Sequence, residues 1–258
     1  MERETKQIIF YLVAIVAFLA LLNLFIPKKP LELKNETEAK EVFSFTLPHI
    51  FFKNGNSTIV SIKVPAVSSD GEGAVVLLTV EAVKGTGKTL VDIDSLLFLA
   101  DTQHSIRMAR LIAGNVSGKN LSEFDLIYSV KADASIIGGP SAGSALAIVT
   151  VFALNGEDPR EDVAITGTIN HDGTIGPVES ILEKAEASKK ANATIFLVPL
   201  LQGKDVVYDT QKYCHKFGTS EVCTMESVPR EVDIAKETGV IVREVKNIKE
   251  ALEYFKQD

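Results

Sequence analysis

The chain has no internal repeat, no surplus of basic charge, only four histidines and only two cysteines. Each shortage closes a class of function. Lysine and arginine number 27 against 34 acidic residues, a net charge of −7. That balance argues against nucleic acid, which needs a basic face. The two cysteines, Cys214 and Cys223, stand nine apart in a polar stretch. They are candidates for one disulfide, which would place the body in an oxidising compartment. A nucleotide loop is missing too. Gly85-Thr86-Gly87-Lys88-Thr89 imitates one, but position 82 is alanine where a P-loop needs glycine. The residues after Lys88 are β-like, whereas phosphate needs the amides of a helix N-terminus. A hairpin turn accounts for the glycines. We expect no ATP site, no cofactor and no metal.

A long apolar run is present. Residues 8–26 read IIFYLVAIVAFLALLNLFI, 19 residues without a charge. At 1.5 Å per residue this spans roughly 28 Å, near the thickness of a bilayer core. No polar face appears at helical spacing, so a buried core helix is disfavoured. A cleaved signal peptide is the rival reading. The run is long for one, and Pro27-Lys28-Lys29-Pro30 follows where a small-residue cleavage site would stand. The expected organisation is an anchor over 1–27, a polar linker over 28–41 and a folded body over 42–258, with a polar insertion at about 201–230. The signals for orientation conflict. Basic residues after the run weakly place the body in the cytoplasm. Asn-x-Ser/Thr acceptors at Asn35, Asn56, Asn115, Asn120 and Asn192 point outward, as does a disulfide. The reading leans to an extracytoplasmic body.

Within the body, 57–64 alternates and 74–83 is apolar and β-branched, so both read as strands about a turn at Asp70-Gly71-Glu72-Gly73. Leu97, Ile106, Ala109 and Ala113 can share one face of a helix over 96–113, with a loop at 114–123. Strands follow at 125–130 and 134–137, then an apolar helix at 141–154. A strand at 164–169, a turn at Asp172-Gly173, a helix at 179–191 and a strand at 194–199 come next. A short strand at 240–242 precedes a helix opened by Asn247-Ile248-Lys249-Glu250. Hairpins come before the interposed helices, so the fold class is α+β.

Gly139-Pro140-Ser141-Ala142-Gly143 has the form G-x-S-x-G, between apolar residues and an apolar helix. A serine there meets unpaired helix amides and the positive end of a dipole, which suit a tetrahedral oxyanion. It could equally serve as a helix cap. A nucleophile needs a base. For an α/β-hydrolase, His171 or His215 would follow an acid such as Asp205 or Asp209. However, no oxyanion-type glycine run lies upstream, and the Asp172-Gly173 turn interrupts a parallel sheet. A serine–lysine dyad needs only a neutral amine, and burial can supply one. Lys184 lies 43 residues after Ser141, on the helix 179–191. Leu182, Ala185 and Ala191 offer it apolar surroundings, and Glu183 and Glu186 should point elsewhere.

Residues 137–199 resemble the proteolytic domain of Lon proteases, the serine–lysine peptidase family. GGPSAGSALA around Ser141, Asp162-Val163-Ala164-Ile165-Thr166-Gly167, and Gly176-Pro177-Val178 leading to Glu183-Lys184 carry the resemblance. Thr166 lies 25 residues after Ser141, and both that interval and the 43 to Lys184 match the family. VPAVSSDGEG, ahead of a long strand and a helix, fits the front of the same domain. The resemblance implies a fold related to ribosomal protein S5 domain 2, here behind an N-terminal transmembrane helix. It implies a serine endopeptidase acting on unfolded or accessible polypeptides, and a homo-oligomer such as a hexameric ring. It casts Ser141 as nucleophile, Lys184 as general base, Thr166 as the residue orienting the amine, and the Ala142 amide as an oxyanion donor. Two departures stand out. Gly138 occupies a position where many members carry an acid. The ATP-driven motor usually fused to this domain is not found in these residues. The alternative is a non-catalytic binding or scaffold module of the same fold.

Overall fold

The computed structural model describes residues 49–92, 100–131, 139–218 and 220–257. The expected anchor, the linker, the strand at 134–137, Asn35, Leu97 and Gly138 lie outside them. Among the described residues no helix is long and apolar enough to cross a membrane.

Alternation builds the first sheet. Strands β1 (Phe51–Lys53), β2 (Ser57–Val67) and β3 (Gly73–Lys84) run antiparallel in sequence order, and β5 (Phe124–Lys131) pairs antiparallel with β3. Val60, Ile62 and Val64 lie opposite Val80, Leu78 and Val76, so one face is a continuous apolar surface. Helix α1 (Ala100–Ser117) adds Ile106, Ala109, Ile112 and Ala113 to the same core, packing on the helix over 143–155 that lies against β2 and β3. It runs past the expected boundary at 113, because Val116 also packs against the core.

β4 (Thr89–Val91) corrects one expectation. The Gly85–Lys88 segment is no hairpin turn, because β4 passes beyond β5 and pairs with it in parallel. Asp125, at the head of β5, explains the path. Its Oδ1 accepts the Thr86 and Lys88 amides, both at 2.8 Å, and wraps the loop around that strand end. These amide bonds, with Lys88 first, hold the Asp125 carboxyl below its usual range.

Helix α2 (Gly143–Asn155) is apolar all round and buried from Gly143 to Leu154. Tyr128, fully buried on β5, meets Thr150 of α2 at 3.1 Å, and Thr150 donates to the Leu146 carbonyl at 2.6 Å. Burial pushes the Tyr128 phenol up to about 12.

A second sheet is parallel, in the order β12 (Ile241–Val245), β9 (Ile195–Pro199), β6 (Val163–Ile165). Phe196, Leu197 and Val198 of the central strand are fully buried, as expected of a parallel strand covered on both faces. Helix α3 (Ile181–Lys190) packs Ile181 and Ala185 against Ala164, Phe196 and Val198. The strand expected over 164–169 is broken. β6 ends at Ile165, and β7 (Thr168–Ile169) pairs instead with β8 (Ile175–Gly176).

Residues 201–230 largely form a ribbon. β10 (Lys204–Phe217) and β11 (Ser220–Asp233) pair antiparallel with solvent on both sides. Cys214 faces Cys223 and is joined to it by a disulfide, with Cα atoms 4.1 Å apart. The ribbon leads into α4 (Ile234–Thr238), a helix absent from the sequence reading, whose cap is Asp233. The last helix is α5 (Ile248–Phe255). Asn247 accepts the Glu250 amide at 3.0 Å, and Glu250 reaches back to the Lys246 amide at 2.8 Å.

Gly73 marks where β3 meets α3. A β-carbon there would lie 2.2 Å from the Glu183 carbonyl oxygen and 3.1 Å from the Ala187 Cβ. Backbone cannot yield as a flexible side chain would. Gly73→Ala is therefore expected to lower stability by about 1–3 kcal/mol, read as an earlier urea midpoint with an unchanged m-value.

Candidate active site

Ser141 lies in a 3₁₀ turn, Pro140–Ala142, that runs straight into α2. Its hydroxyl makes no hydrogen bond to any described residue, so it does not cap the helix; the cap position falls on Ala142. Gly143 explains why the turn can sit so deep. A β-carbon there would be 2.8 Å from the Ile169 amide nitrogen.

The break in the β6 strand serves this turn. The Gly167 amide donates to the Ser141 carbonyl at 2.9 Å, and the Gly167 carbonyl accepts the Ser144 amide at 2.9 Å. Both peptide groups have left the sheet for the serine loop. Thr166, fully buried, donates its hydroxyl to the same Ser141 carbonyl at 3.4 Å. Its hydroxyl is thus on the serine backbone, and the Lys184 amine bonds elsewhere.

Lys184 is buried on α3, 5% exposed. Its Nζ donates to the Glu179 carbonyl at 2.8 Å. Burial lowers its pKa, while the charges of Glu179, Glu183 and Asp205 oppose that shift. The expectation that Glu183 would point elsewhere is corrected: its carboxylate stays close enough to act on the amine, and its Oε2 is buried without a hydrogen bond. The serine turn clamps Thr166 and Gly167 at the end of β6, and α3 shares a small apolar cluster with Ala164 of the same strand.

The residues considered for a histidine-based triad do not assemble. His171 is exposed in the β7–β8 turn, and His215 is exposed on the ribbon. Asp209 pairs with Arg230 at 2.8 Å, and Asp205 accepts amides of α3. Among the described residues the first, mainly antiparallel sheet and the parallel sheet are separate, so the α/β-hydrolase alternative finds neither its sheet nor its histidine.

Two contributors, Ser144 and Gln202, and the capping role of Asp205 escaped sequence reasoning. Ser144 is fully buried beside Gly167, and its hydroxyl has no hydrogen bond. Gln202 and Asp205 hold the segment leading to Lys184 from 24 residues downstream. No local pattern signals a contact across such a distance.

Residues 73–232 match the family described as the Lon protease (S16) C-terminal proteolytic domain. The match covers more than half of the chain, and the chain belongs to this family. Among curated relatives, the archaeal Lon protease of Thermococcus kodakarensis is 26% identical over 200 residues, 75% of this chain and 30% of that protein. Lon protease 2 of Syntrophobacter fumaroxidans is 33% identical over 91 residues, 35% of this chain and 12% of the relative. The Lon protease of Methylocella silvestris is 35% identical over 101 residues, 39% and 12%. The chain thus spans a minor part of the length of each.

Proposed function

We propose that this chain is a serine endopeptidase in which Ser141 is the nucleophile and Lys184 the general base. The observation that carries the reading is a buried lysine whose pKa burial lowers, on a helix that shares an apolar cluster with β6, the strand whose end holds a serine with no hydrogen bond from its hydroxyl to any described residue. Ser141 Oγ attacks the peptide carbonyl carbon while neutral Lys184 Nζ takes its proton. The amine leaves the Glu179 carbonyl to do so, since such contacts tighten only around substrate. The oxyanion is held by backbone amides at the head of α2, that of Ala142 among them. Collapse returns the proton from Lys184 to the departing amine. Water, activated by the same lysine, then attacks the acyl carbonyl and frees Ser141. Thr166 keeps the serine loop, and through it the amine's approach, in place.

The substrates are unfolded or accessible polypeptides. The fold is of the ribosomal protein S5 domain 2 type, the body is anchored through residues 8–26, and copies assemble as a homo-oligomeric ring. Hydrolysis by this domain needs no nucleotide. The body is extracytoplasmic, a reading supported by the bonded cysteines and by the exposure of Asn56, Asn115, Asn120 and Asn192. The deciding assay incubates the purified chain with casein in the absence of ATP. Internal fragments identified by mass spectrometry are expected. Casein left intact would favour the non-catalytic module, a reading to which the Lys184–Glu179 bond lends itself.

A further inference from the structure

Helix α3 has no cap of its own. Ser180 holds the cap position, but its backbone is left-handed (φ 56, ψ 48) and its side chain makes no capping bond. This reversal leaves the Glu179 carbonyl beside the Lys184 amine. The cap comes from the root of the ribbon. Asp205 Oδ2 accepts the Ile181 amide at 3.1 Å and the Leu182 amide at 3.2 Å. Its Oδ1 accepts the Val206 amide at 2.8 Å, which fixes the carboxylate's orientation.

Three residues earlier, Gln202 closes a two-bond ring on Val178. Its Oε1 accepts the Val178 amide at 3.0 Å, and its Nε2 donates to the Val178 carbonyl at 2.7 Å. The loop carrying both groups is pinned in turn. Glu244 on β12 accepts the Leu201 amide at 3.0 Å and the Gly203 amide at 2.9 Å. The chain from Val178 to Leu182 is therefore gripped at both ends, and Lys184 projects from the turn that follows.

We propose that Asp205 is a positioning residue: by capping α3 from the ribbon root, it sets where the general base stands relative to Ser141. The proposal rests on the dyad reading above. Capping needs an acceptor, not a charge, and asparagine caps as well as aspartate. That separates the cap from the carboxylate's electrostatic action on the amine. A misplacement of about 1 Å in a reacting group costs on the order of 10²-fold in rate.

The test uses the full chain with Asp205→Leu and Asp205→Asn. Casein hydrolysis by the leucine variant is expected to show kcat lower by about 10²-fold with KM unchanged. The asparagine variant should keep kcat within about threefold of wild type. Hydrogen exchange at the Ile181 and Leu182 amides reads the cap without any catalysis. Exchange should quicken in Asp205→Leu and match wild type in Asp205→Asn. Wild-type kcat in the leucine variant overturns the proposal, and so does a leucine-like loss in the asparagine variant. If circular dichroism shows the leucine variant unfolded, Asp205→Ala replaces it with the same expectations. If wild type cleaves nothing, the dyad reading fails by that result, while exchange at Ile181 and Leu182 still decides whether Asp205 holds the helix.

Discussion

Ser141→Ala is expected to lower kcat for casein by roughly 10⁴–10⁶-fold, the scale seen when a catalytic nucleophile is deleted. KM should change little, because the hydroxyl contributes to bond making rather than to ground-state binding. Stability should stay within about 0.5 kcal/mol of wild type, since the Ser141 hydroxyl has no hydrogen bond to any described residue. The turn is held by its carbonyl, which accepts from Gly167 and Thr166, and the substitution leaves that carbonyl in place. An intact fold with no hydrolysis thus separates chemistry from architecture. Cleavage by Ser141→Ala at the wild-type rate would remove Ser141 from the mechanism, and any contaminating protease would be exposed by the same comparison.

Lys184→Met should be as inactive as the serine variant, and Lys184→Arg equally so. Arginine keeps the charge but cannot lose its proton at any working pH. An active arginine variant would show that the residue acts as a fixed cation and not as a base. In wild type, kcat/KM should rise with pH along a limb below lysine's ordinary value of 10.5, because burial favours the neutral amine. The same shift bears on stability. The folded pKa lies below the unfolded one, so in the window between them the unfolded chain binds more protons. Stability therefore gains from rising pH across that window, with Lys184's cost fully present below the folded pKa. Lys184→Met removes that dependence. It is expected to unfold at a urea midpoint equal to or above wild type at neutral pH, while losing activity.

Where periodicity and local caps determine structure, the sequence was readable. β2 follows from alternation, β3 from an apolar, β-branched run, α2 from an unbroken apolar run, and α5 from Asn247 with Glu250. The serine turn also stood out on a local signature, and Lys184 on its interval of 43 residues from that serine, which matches the family. What escaped depends on contacts between distant residues. β6 stops at Ile165 because Gly167 bonds to the serine loop, and nothing in Thr166-Gly167-Thr168 announces that exchange. β4 lies beside β5 because Asp125 captures a loop 37 to 39 residues earlier. Asp205 reads as an acid in a polar stretch, yet it supplies the cap that Ser180 does not. Charge placement on α3 misled for the same reason. Spacing along a helix says which neighbours are displaced around the axis, and says nothing of how strongly their charges still act on a buried amine.

The ribbon invites comparison with the polypeptides this domain is proposed to cut. It is a long extended segment, open to solvent on both faces, with Phe217 68% and Met225 71% exposed. A neighbouring molecule of the same chain would meet it as ready-made substrate. The cross-link between Cys214 and Cys223 limits the damage from such an encounter. A nick at any bond between the two cysteines leaves both fragments in one covalent molecule. The strand pairing below the cross-link persists, as does the Asp205 carboxylate on the amides of α3. The molecule can thus be scarred at its tip and still keep the root that holds its lysine helix.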